Sequence, residues 1–150
     1  MWVNVKMYDA GWSLIAEFGA YDTATAALTT SDTKVYEAKL GMSADVAAAS
    51  GRSNEEDSSS FHFALNNVVV KDNRIPPRGF TNANFKSIQS PPVAAAYADG
   101  QYWDEAIFSL AAGTVWYEVS LYYQSTSKEY VTFLRDHNTT NTSGTTLYNG

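Results

Sequence analysis

Tyr97-Ala98-Asp99-Gly100-Gln101-Tyr102-Trp103-Asp104 holds the densest set of side chains able to recognise a ligand, with aromatic rings set among two carboxylates and an amide. Rings of this kind stack on the apolar faces of a sugar or peptide while carboxylates accept from its hydroxyls or amides. Tyr97, Asp99, Tyr102, Trp103 and Asp104 are therefore the candidate binding residues. The plainer expectation is that Tyr102 and Trp103 plug the end of a hydrophobic core, because tryptophan is highly buried on average. Asp72, Asn73, Asp99 and Asp104 are weak candidates for Ca²⁺, which takes six to eight oxygens and needs no fixed spacing when loops supply them. Asp and Asn more often serve turns, so no cofactor or metal is expected.

Catalytic constellations are poorly represented, and no catalytic residue is assigned. Asp99, Asp104 and Glu105 have no partner fixed by their spacing, which leaves solvated loop acids as the ordinary reading and a small carboxylate-based hydrolase as the weakest one. His62 lies between Phe61 and Phe63 on an alternating segment, so it is expected to point away from their shared face as an exposed or edge histidine. His137 stands beside a polar tail, and no HxH or HExxH pair offers a transition-metal site. GxSxG, GxGxxG, phosphate-loop and EF-hand patterns are absent. The chain contains no Cys, which excludes disulfides, thiolate metal sites, thiol nucleophiles and covalent c-type haem attachment.

The elements that must carry these groups read mainly as strands. The 150 residues suit one domain, expected over 1–150, and 45% hydrophobic with 14% aromatic content fits a packed core. Tyr, Trp, Val and Thr favour pleated, half-buried surfaces. A formal charge of −6 and a pI near 4.7 disfavour a nucleic-acid partner. No apolar run reaches the ~18–20 residues of a membrane span, and residues 1–8 alternate like a strand rather than a signal peptide.

Residues 2–8 and 12–18 read as a hairpin around Asp9-Ala10-Gly11, and 34–40 as a third strand. Residues 42–60 read as a mobile loop with one helical turn at Ala47-Ala48-Ala49. Strands are expected in 61–70, as one bulged or two short segments, and in 104–110. The clearest strand is 114–124, where Val115, Tyr117, Val119, Leu121 and Tyr123 form an apolar face. Trp116 and Tyr122, on its mixed face, are an alternative exposed aromatic platform. Residues 126–129 have capping-box spacing and open one short helix ending near Arg135, followed by a polar tail over 138–146. The expected fold is a mainly β antiparallel sandwich, immunoglobulin-like or jelly-roll-like, with one short C-terminal helix; a partly closed β-barrel is the alternative.

The segment Lys71-Asp72-Asn73-Arg74-Ile75-Pro76-Pro77-Arg78-Gly79-Phe80-Thr81-Asn82 resembles haem-free, β-rich C-terminal regions of bacterial multihaem c-type cytochromes. Residues 34–41, 61–67, 97–104 and 121–130 look similar in the same order, so the resemblance spans about 34–136. The haems of such proteins lie in upstream CxxCH motifs that this chain lacks. What the resemblance implies is an accessory module, periplasmic or at the cell surface, with a structural or adhesive role. The leading function class is a non-catalytic module that packs against or presents a surface to a protein or domain; the alternative, from the residue types of 97–104, is a carbohydrate- or peptide-binding module using Tyr97, Tyr102 and Trp103. Arg74 and Arg78, flanking the stiff Ile75-Pro76-Pro77 path, are expected to pair with Asp72, Asp99 or Asp104.

Overall fold

Alternation places Val3, Val5 and Met7 on one side of β1 (Trp2–Tyr8) and Trp2, Asn4, Lys6 and Tyr8 on the other. The computed structural model describes residues 1–55 and 58–150, which form two compact units, Met1–Val35 with Ala106–Gly150 and Tyr36–Glu105. Across the described residues the architecture is mostly small antiparallel sheets, of three, two and two strands, with a few short helices; no sheet closes into a barrel.

In the first unit, β1 is the central strand. It pairs antiparallel with β2 (Leu14–Phe18) on one edge and with β7 (Trp116–Tyr122) on the other. The β1–β2 turn is organised by Asp9, whose Oδ1 accepts from the N–H groups of Gly11 at 2.8 Å and Ser13 at 2.9 Å. The turn falls where the sequence predicts one, and it is an Asx turn. β7 runs in register from Trp2↔Tyr122 to Tyr8↔Trp116. A minimal pair, β3 (Tyr21–Asp22) and β4 (Ala27–Leu28), follows β2.

Burial on both faces of β1 leaves the polar Asn4 inside, and its amide donates to Glu17 Oε1, Phe18 O and Gly19 O at 2.8–3.1 Å. Trp2 Nε1 also donates to Gly19 O, at 3.1 Å. Gly19 sits at φ +62 with room for no side chain, since a Cβ would lie 2.7 Å from Val3 O.

The helix predicted from the capping spacing is present as α3 (Lys128–His137), although Ser127 rather than Thr126 is the cap and accepts from Tyr130 N–H at 3.2 Å. A second C-terminal helix, α4 (Ser143–Asn149), takes up the last part of the expected polar tail. Side-chain turns at Asn138 and Asn141 redirect the chain. Gly144 then lets α4 approach the end of α3 closely, since a Cβ there would lie 2.5 Å from Leu134 O. The Arg135 guanidinium lies 3.9 Å from the Tyr148 ring centre.

In the second unit, β5 (Ala38–Gly41) pairs antiparallel with β6 (Val68–Asp72). The expected strand over 34–40 is therefore shorter and later. Its first half is used differently: Val35 bridges Trp2. The expected loop 42–60 contains α1 (Ala44–Ala49), which includes the predicted alanine turn, and a 3-10 turn (Ser53–Glu55). Residues 56 and 57 of that loop lie outside the described residues.

Residues 61–65 form a turn instead of a strand. Leu65 N–H bonds back to His62 O at 2.8 Å, and the Asn66 amide reaches Ser60 O at 2.7 Å. Residues 104–110 likewise form no strand. A helix missed in the sequence, α2 (Asn82–Ser87), is capped by Thr81 accepting from Asn84 N–H. The core of this unit is Tyr36, Met42, Ala47, Phe80 and Tyr97.

Candidate functional site

The proline-arginine segment and the loop after it form one hydrogen-bonded assembly. Phe80 N–H donates to Pro77 O at 3.1 Å, and Phe80 O accepts from Gly100 N–H at 2.8 Å. Asp99 Oδ1 accepts from both the backbone and side-chain N–H of Asn82, at 2.8 and 2.9 Å. Those bonds, the backbone one foremost, hold its carboxyl below the usual aspartate range. Gln101 closes the loop, accepting from Ala98 N–H and donating to Trp103 O, both at 3.0 Å.

The five candidate residues divide by burial. Tyr97 is the plug: its ring is buried and its hydroxyl donates to Asn73 O at 2.8 Å. Tyr102 and Trp103, expected inside, are exposed and meet edge to face at 5.3 Å. Arg78 covers one side of Tyr102 at 4.8 Å. This is a cation–π contact in place of the expected ion pair.

Asp104 Oδ2 accepts from Tyr36 Oη at 3.0 Å. Burial first, then this carboxylate, pushes the Tyr36 hydroxyl up to about 12, so it remains a protonated donor at neutral pH. Arg74 pairs with Asp72 in a two-pronged geometry, Nε to Oδ1 at 2.8 Å and Nη2 to Oδ2 at 2.6 Å, and that pairing lowers the Asp72 carboxyl. Asn73 Oδ1 accepts from Glu37 N–H at 2.8 Å. The Ca²⁺ candidates thus serve four different local bonds. Among the described residues no three His, Cys, Asp or Glu side chains are grouped to hold a metal ion. A cleft of about 350 Å³ beside them is lined by Asp72, Arg74, Ile75, Pro76, Pro77 and Phe85, together with Ser90 and Pro92.

The two histidines are structural in their surroundings. His62 Nε2 lies 3.9 Å from Glu55 Oε1, with its side chain only 20% exposed. The His137 ring stacks on Phe133 at 4.3 Å.

The largest departure from expectation is in the first unit. Val115, Tyr117, Val119, Leu121 and Tyr123, expected as the buried face of their strand, are 53%, 66%, 59%, 65% and 77% exposed. Their register partners on β1 include Val5 and Met7, which are 4% and 0% exposed on the same side of the sheet. The difference lies in what covers them. Phe108 packs on Phe18 at 5.4 Å and Ala111 N–H points at Met7 Sδ at 3.4 Å, so the segment before β7 roofs β1 and β2 and leaves β7 bare. β7 is also an edge strand, with only β1 beside it among the described residues.

On the opposite face of β7, Trp116 and Tyr122 are 48% and 41% exposed but each has an aromatic neighbour. Trp116 stacks on Trp12 at 5.4 Å and 5°, and Tyr122 packs on Trp2 at 5.4 Å. The Trp12 contact has no signal in the sequence, since it depends on the register of β7 against β1. In comparisons with known proteins the chain matches no family model, no curated protein and no solved structure.

Proposed function

We propose that this chain is a non-catalytic accessory module that docks another polypeptide on the bare face of β7. One observation carries the reading: five apolar side chains at alternate positions, Tyr117, Val119 and Leu121 on β7 with Val115 and Tyr123 just beyond its ends, stand more than half exposed. Contiguous apolar surface of this kind marks interaction sites, whereas scattered exposed hydrophobics need no explanation. The non-catalytic part of the reading is supported by the site chemistry. Asp72, Asp99 and Asp104 are each committed to a structural bond, and Tyr36 is held protonated. The resemblance of residues 34–136 to haem-free regions of bacterial multihaem cytochromes supports reading such a module as one that acts in the periplasm or at the cell surface.

The test uses the dye anilinonaphthalene sulfonate, which fluoresces on exposed apolar surface. In dilute solution the chain is expected to enhance dye emission. The double variant Val119→Glu/Leu121→Glu should lose at least about half of that enhancement with an unchanged far-UV circular dichroism spectrum. Equal dye emission from both proteins would contradict the reading.

A further inference from the structure

We infer that the polypeptide docked on β7 is a second copy of this chain, packed face to face about a two-fold axis through Val119. The inference rests on the docking reading above and adds the identity of the partner.

Size complementarity supports it first. Rotation about that axis sets Val119 on Val119, Tyr117 on Leu121 and Tyr123 on Val115, so each tyrosine meets a smaller aliphatic group. An isologous interface requires this kind of self-match, in which residue i meets j and j meets i. Because the segment around Phe108 and Ala111 covers β1 and β2, the contact is confined to the two β7 strands and their bare flanks.

Charge supports it second. None of the five stripe residues is charged, although each copy carries a net charge of −6. Glu118, the one acid of β7, lies on the opposite side and is in register with Lys6. The stripe therefore gives a basic partner nothing to pair with, and gives a second copy no like charge to meet at the contact.

Area supports it third. The five stripe residues leave on the order of 600 Å² bare, so two copies would bury about 1,200 Å² in all, the lower end of the range for a specific interface. Tyrosine is among the residues enriched in such interfaces.

Sedimentation equilibrium of the whole chain tests this. A concentration-dependent monomer–dimer equilibrium is expected, and raising the salt concentration should tighten it, because screening relieves the repulsion between two copies of charge −6 without weakening an uncharged contact. Val119→Glu should raise the dissociation constant roughly a hundred-fold, since two carboxylates would be desolvated against each other. Tyr123→Ser should weaken the dimer with less risk to the fold, and Glu118→Gln, on the other face, should leave it intact.

A dimer insensitive to both Val119→Glu and Tyr123→Ser overturns the inference. So does a chain that stays monomeric at every concentration. If that monomer still binds dye in a Val119-dependent way, the docking reading survives and only self-pairing falls; without such dye binding, both fall.

Discussion

Phe80→Ala is expected to cost the unit spanning Tyr36–Glu105 roughly 3–5 kcal/mol, read as a lower urea midpoint at unchanged slope. The Phe80 ring is 0% exposed and meets Phe85 edge-on at 4.8 Å. Removing it loses the transfer free energy of the ring and leaves a cavity that the stiff Pro76-Pro77 path cannot collapse to fill. The backbone of Phe80 also fixes the chain on both sides, through Pro77 O and Gly100 N–H. The cavity should therefore loosen the 97–104 loop and change the near-ultraviolet signal of Trp103. Ile88→Ala, at a position 68% exposed, is the control and should stay within about 0.5 kcal/mol. Equal effects from the two substitutions would contradict the packing described.

In the first unit the corresponding substitution is Trp2→Ala, also expected to cost roughly 3–5 kcal/mol. Trp2 is 3% exposed and packs between Tyr21 at 5.5 Å and Tyr122 at 5.4 Å. Its indole nitrogen adds the bond to Gly19 O. Trp2→Phe, which keeps most of the ring contact, should cost only about 1–2 kcal/mol, because Gly19 O retains the Asn4 amide at 3.1 Å. Urea denaturation of the three proteins should therefore rank wild type, Phe and Ala in falling order. A Phe variant as unstable as the Ala variant would mean that the indole hydrogen bond, rather than packing, holds this corner.

What could be read from the sequence was what local periodicity and turn chemistry determine. The β1–β2 hairpin was legible because alternating apolar positions flank an Asp able to close its own turn. α3 was legible because capping-box spacing over 126–129 precedes apolar residues at helical spacing, although the cap itself falls one residue later, at Ser127. The existence of β7 was legible too, but not which of its faces is covered. A period of two says only that the faces differ. The covering segment around Phe108 and Ala111 has no regular pattern of its own, and it reaches β1 without reaching β7.

In the candidate loop, burial was assigned to Tyr102 and Trp103, whereas the structure buries Tyr97. Tyr97 could be buried because Asn73 O takes its hydroxyl, a partner 24 positions away that no local pattern reveals. Alternation misled at Phe61-His62-Phe63, where bonds from Leu65 and Asn66 turn the chain before it can pair. α4 was hidden by a Thr-, Ser- and Asn-rich composition, whose poor helix propensity is offset by close docking at Gly144.

Hydroxyl-radical footprinting along β7, from nanomolar to high-micromolar protein, tests the docking face most directly. The expected result is protection that alternates, with oxidation of Tyr117 and Tyr123 falling as concentration rises while that of Trp116 and Tyr122 stays constant. Uniform oxidation at every concentration, or protection confined to Trp116 and Tyr122, would contradict it.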